Sequence, residues 1–239
     1  MVYMSKHSKW AKVKHQKGAV DAKRANVFTK LAREITVAAR EGGDPVFNFK
    51  LRSAIDRALA ENVPKDNIER AIKKGTGEIA SDRIEEVIYE GYAPGGLPVL
   101  VEALTDNRNR TAPNIRHVFS KHGGNMGASG SVQWMFERFG VVWLAAGQLT
   151  EVQELALIEA GASDIIEEDD GLSVRTQPEA VARVRDAAEA AGLRVDDAGF
   201  EWVAKEKATS VAADALDKAT DLLEALEEDE DVSGVYTNL

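Results

Sequence analysis

The chain has 239 residues, no cysteine and a formal net charge of −10. The missing cysteine excludes disulfides, thiolate metal sites and thiol catalysis. No apolar run reaches the roughly 18 residues a membrane-spanning helix needs, and the first 20 residues lack a signal-peptide core, so a cytoplasmic protein with no membrane partner is expected.

The charge is unevenly spread. Residues 1–75 hold 17 Lys+Arg against 8 Asp+Glu, a net of +9; the remaining 164 hold 13 against 32, a net of −19. A basic module joined to an acidic body attracts phosphate at one end and repels it at the other.

Residues 1–18 have no helical period and read as an arm. Lys6, Lys9, Lys12, Lys14 and Lys17 are interleaved with His7, Trp10 and His15. The lysines suit a phosphate backbone, and Trp10 suits either an unpaired base or the arm's own packing. A helix is expected from Ala19 to Arg40. Phe28, Leu31, Ile35, Ala38 and Ala39 share one face, and Lys23, Lys30, Arg33 and Arg40 form a basic stripe nearly opposite. The Gly42-Gly43-Asp44-Pro45 run ends it. Asn48–Glu61 reads as a second helix, and Lys65–Lys74 as a third that Gly75 would cap.

At Arg83 the period changes to two. Glu85–Gly91 and Leu97–Thr105 read as strands joined by a Pro-Gly-Gly turn, followed by a helix over Asn109–Lys121 with Pro113 in its first turn. Asp106-Asn107-Arg108-Asn109-Arg110 falls where that strand ends and that helix begins. One of its polar groups should cap the helix, and Arg108 and Arg110 could grip a phosphate beside the free backbone N–H groups. The glycine-rich Gly123–Gly130 lacks the Lys-Ser/Thr of a phosphate-binding loop and reads as a hinge or a close backbone approach to a ligand.

Next comes a strand over Trp134–Leu144, a helix over Thr150–Ala160, strands over Asp164–Glu168 and Leu172–Thr176, a helix over Pro178–Ala191 and a strand over Arg194–Val203. That order is βαββαβ, ferredoxin-like. A last helix, Ala212–Leu226, and a last strand, Gly234–Asn238, need partners elsewhere. The expected fold class is α+β: an N-terminal three-helix domain plus two α/β domains, one ferredoxin-like and inserted into a discontinuous one. The boundaries are 1–82, then 83–130 with 208–239, then the insert 131–207. The acidic clusters Glu167–Asp170 and Glu227–Asp231 lack calcium-loop spacing and read as solvated. No acid–base pair, triad or metal set emerges, so no enzyme, catalytic residue, cofactor or metal is expected.

The motifs His7–Trp10 (HSKW), Asp21–Arg24 (DAKR), Pro64–Ile68 (PKDNI), Lys73–Gly77 (KKGTG), Tyr89–Tyr92 (YEGY), Leu104–Arg110 (LTDNRNR) and Val235–Asn238 (VYTN) span nearly the whole chain. Together they resemble the YebC/PmpR family, which includes the mitochondrial translational activator of cytochrome c oxidase. The resemblance implies three domains beside a cleft and regulation of gene expression through nucleic acid. One branch of the family points to translation, on ribosomes stalled at proline-rich stretches and through rRNA or tRNA. The other points to DNA-binding transcription regulation. Lys6 stands where the family usually has glycine, and Val46-Phe47-Asn48-Phe49 is unusually apolar.

Overall fold

Helix α1 (Val20–Ala38) carries Val27, Leu31, Ile35 and Ala38 at helical spacing, and all four are buried. It runs on into one tighter turn, Ala39–Glu41. The computed structural model describes residues 20–145, 147–168 and 171–239, with side chains from Arg24 onward in α1. The arm residues Lys6, His7, Lys9, Trp10, Lys12, Lys14, His15 and Lys17, and the side chain of Lys23, lie outside the described set.

Helix α2 (Phe49–Ala60) starts on Asn48, whose side chain accepts the Leu51 N–H at 3.1 Å. The same amide donates to the Ala38 and Gly42 carbonyls at 2.7 Å each. One buried side chain thus ends α1 and begins α2. Helix α3 (Lys65–Thr76) follows Pro64.

Gly75 does not cap α3. It sits inside the helix, and Gly77, at φ 84°, takes the left-handed terminal position. A β-carbon on Gly75 would collide with the Thr36 carbonyl oxygen and come within 2.6 Å of the Ala39 β-carbon. The glycine is there so that α3 can lie against α1. Together the three helices enclose one apolar core.

Strands β1 (Glu85–Ala93) and β2 (Leu97–Thr105) form an antiparallel hairpin. Helix α4 (Arg108–Lys121) follows, capped by the Asn107 side chain on the Arg110 N–H at 3.1 Å. Pro113 is its sixth residue, not in its first turn. It is exposed, so the carbonyl it leaves unbonded faces water. Strand β3 (Asn125–Met126) pairs with β1.

Strand β4 (Phe136–Leu144), helix α5 (Glu151–Ala160), strands β5 (Ala162–Glu168) and β6 (Gly171–Thr176), helix α6 (Val181–Ala190) and strand β7 (Val195–Ala204) make the βαββαβ unit. Its antiparallel sheet has the order β5-β6-β4-β7, the ferredoxin-like arrangement. Helix α7 (Ala213–Glu227) and strand β8 (Val232–Thr237) then return to the earlier sheet, and β8 pairs with β2 to give β3-β1-β2-β8.

Strand β2 is buried on both faces. Val99, Val101 and Ala103 meet α4 and α7, while Leu100 packs with Val132 and Phe136 on the side of the second sheet. The fold is α+β with two four-stranded antiparallel sheets. Among the described residues no helix is long and apolar enough to cross a membrane.

Candidate nucleic-acid interface

The basic side of α1 is turned inward. Asn26 Nδ2 donates to the Glu228 carbonyl at 2.7 Å, Lys30 Nζ donates to the Glu227 carbonyl, and Arg33 Nη1 donates to the Glu230 carbonyl at 2.6 Å. These donors fall four and three residues apart, along one stripe. Their acceptors are carbonyls at and just beyond the C-terminal end of α7, where main-chain oxygens lack helical partners and the helix dipole is negative. Arg40 likewise donates to the Ile84 carbonyl at 2.7 Å. Three of the cations expected to face phosphate therefore hold one part of the chain to another.

Asp231 is the centre of this contact. Its side chain is 1% exposed, with Arg33 Nη1 at 2.7 Å and Arg110 Nη2 at 2.9 Å from both carboxylate oxygens. The Thr111 hydroxyl donates at 2.6 Å. Burial alone would raise the Asp231 carboxyl; the bonds from Thr111 and Arg110 and the nearby Arg33 charge outweigh it and hold it below its ordinary value. Arg108 instead makes an open ion pair with Glu85 at 3.2 Å and stays 60% exposed. Such a pair is worth about 0–1 kcal/mol and leaves the guanidinium available to a ligand.

The acidic run Glu227–Asp231 is thus not solvated along its length: Glu227 and Asp231 are buried. Acidity in a sequence does not reveal that a basic helix will cover it. Glu227 is pushed up to about 8, chiefly by burial, with the Lys30 charge opposing. The other acidic cluster, Glu167–Asp170, lies partly outside the described residues.

The glycine-rich loop also closes on the protein itself. Glu90, 2% exposed, accepts the N–H groups of Gly130, Val132 and Gln133 at 2.6–2.7 Å. Burial pushes this carboxyl up, and the three backbone bonds more than reverse that. The loop's converging donors are filled by a side chain of β1, not left for a ligand.

Helix α3 carries a cluster of cations without ion-pair partners among the described residues. Lys65, Arg70, Lys73 and Lys74 are exposed and make no ion pair among the described residues. Asn67, Arg70 and Lys74 recur at helical spacing and form one wall of a groove of about 410 Å³. Phe28, Ala32 and Thr36 of α1 form the other wall, and residues 81–84 with Asp106 close its end. Sequence reading missed this face because the same helix also carries Asp66 and Glu69. The findable signal was the helical spacing of Asn67, Arg70 and Lys74, a polar stripe beside the inward Ile68 and Ala71.

A second cavity, about 290 Å³, lies where α1 and α2 meet both sheets. Its polar groups are largely engaged with one another. Glu34 pairs with Arg57 at 3.1 Å, and Glu102 accepts from Trp202 Nε1 at 2.8 Å and from the Tyr236 hydroxyl at 3.0 Å. Among the described residues no group of three or more His, Asp or Glu side chains is placed to hold a metal ion.

Residues 8–78 match the TACO1/YebC protein N-terminal domain, and residues 84–239 match the TACO1/YebC second and third domain. The chain belongs to the TACO1/YebC family. A relative from Thermoanaerobacter pseudethanolicus is 47% identical over 99% of this chain and 97% of its own length; one from Thermotoga maritima is 49% identical over 98% and 93%. Both are called probable transcriptional regulatory proteins. In fold, this TACO1/YebC chain superimposes on the crystal structure of a conserved hypothetical protein from Aquifex aeolicus. The TM-score is 0.84 at 46% identity, covering 97% of this chain and 96% of that one.

Proposed function

We propose that this chain is a non-enzymatic regulator of gene expression that binds nucleic acid and acts on the ribosome through rRNA or tRNA. The observation that carries the reading is the unpaired cationic face of α3, set in a +9 segment and backed by a −19 body. Its work would be positioning. Charge-assisted contacts from Arg70, Lys74 and Arg108, with the arm lysines Lys9 and Lys12, would fix an RNA geometry without covalent chemistry. The acidic remainder limits the approach to one pose. Residues 1–82 would supply the contact, and the units 83–130 with 208–239, and 131–207, would present it.

Duplex readout fits this surface less well. The α3 face offers one amide, Asn67, for bidentate base contacts, and the carboxylates of Asp82 and Asp106 flank the same groove. A DNA-binding transcription regulator is the second reading, and the names carried by the relatives favour it.

Sedimentation of the full chain with purified ribosomes through a sucrose gradient tests the proposal. Co-migration is expected at low salt and should disappear as salt rises. A chain that stays at the top of the gradient at every salt concentration contradicts the ribosomal reading.

A further inference from the structure

We propose that the groove between α1 and α3 is a pocket for one unpaired nucleotide of a single strand. This deepens the nucleic-acid reading and rests on it. At about 410 Å³ the groove lies within the range of small-ligand sites, about 300–1,000 Å³. Its two walls differ in chemistry. Phe28, Ala32 and Ile84 supply apolar surface for a base face, and Arg70 and Lys74, one helical turn apart, supply cations close enough to share a phosphate.

The internal pairings sharpen the assignment. Arg33 also lines the groove but is bound to Asp231, and Asp106 is bound to Arg110 at 3.0 Å. That leaves Arg70 and Lys74 against Asp82, two positive charges against one negative. Asn67 both donates and accepts, and Asp82 only accepts, so the pair suits a base edge carrying an amino group, or a ribose hydroxyl. A base's Watson–Crick edge and its flat face are both free only when the base is unpaired and unstacked. A cation also lies outside the apolar wall: the Arg24 guanidinium carbon is 5.3 Å from the Phe28 ring centroid.

The test is fluorescence anisotropy with the full chain and labelled probes of three kinds: short single-stranded homopolymer RNAs, the DNA strands of the same sequences, and a blunt DNA duplex. Arg70→Glu with Lys74→Glu, both exposed positions, should weaken single-strand binding at least about tenfold and reduce the salt slope by about 0.7 for each phosphate no longer neutralised. Duplex binding should fall much less. Asn67→Ala with Asp82→Asn should flatten preference among homopolymer probes. Tighter binding of the RNA than of the DNA strand, abolished in Asp82→Asn, assigns the carboxylate to the ribose hydroxyl. A preference among bases abolished in the same variant, with RNA and DNA bound equally, assigns it to the base. Either result supports the pocket.

If the unaltered chain binds none of the probes, the nucleic-acid reading itself falls. If it binds and the Arg70/Lys74 variant binds equally well, the groove is wrong and the wider reading stands. Equal losses on single strand and duplex would mean a plain cationic surface, which overturns the pocket. Unchanged thermal unfolding of the variants confirms that binding alone is being read.

Discussion

Arg33 of α1 and Asp231 of the turn before β8 stand 198 positions apart in the chain and meet at 2.7 Å. Arg110 of α4 reaches the same carboxylate, so one buried acid joins α1 to α4 and to the turn before β8. Asp231→Asn removes the charge while leaving both guanidiniums. Breaking a fully buried pair costs about 3–5 kcal/mol; here about 2–3 kcal/mol is expected, because Arg110 can be rehydrated. Chemical denaturation should show it as a lower midpoint. The folded Asp231 carboxyl lies below its ordinary value, so its stabilising contribution is present above about pH 3.8 and disappears as pH falls through the lowered value. The variant should lose that acid limb.

Glu227 has the opposite sign. Its folded value, about 8, exceeds the ordinary 4.5, so its contribution is full below about pH 4.5 and fades as pH rises through about 8. Among the described residues neither of its carboxylate oxygens has a hydrogen-bond partner, and Lys30 bonds to the main chain instead. Glu227→Gln keeps the shape and cannot ionise. Above pH 8 it should be more stable than the parent by about 1–2 kcal/mol, roughly 2–8 °C in Tm, with the two curves converging below pH 5.

Glu90→Gln replaces a carboxylate oxygen facing backbone donors with an amide that is itself a donor. A charged hydrogen bond is worth about 1.5–3 kcal/mol, so a loss of that order is expected. Amide exchange at Gly130, Val132 and Gln133 should speed up selectively, since these N–H groups bond to Glu90.

Gly75→Ala would ordinarily favour a helix by about 1 kcal/mol. Here the added carbon meets Thr36 and Ala39, and a net destabilisation of about 1–3 kcal/mol is expected from overpacking. Gly77→Ala, at positive φ but in open space, should cost less. Thermal unfolding of the two variants separates these causes.

Local periodicity made most elements legible. The apolar face of α1, the apolar run of β2 and the βαββαβ order were all readable from local pattern, and each stands in the structure within a few residues. What was not legible depends on contacts distant in sequence. Gly75 looks like a helix cap until α1 is laid against it. Lys30 and Arg33 look like a free basic stripe until α7 ends beneath them, and Glu227 and Asp231 look solvated for the same reason. Glu90 is an ordinary strand residue until a loop from 40 positions away folds over it. The α3 face was overlooked because two acids interrupt its charge, although its exposed spacing is regular.

Action on the ribosome is tested most directly by ultraviolet crosslinking and sequencing of the nucleic acid bound to the full chain in living cells. Reads concentrated in ribosomal RNA or tRNA are expected, with crosslinked peptides from α1 and α3. Reads confined to promoter DNA, with no ribosomal signal, would contradict it.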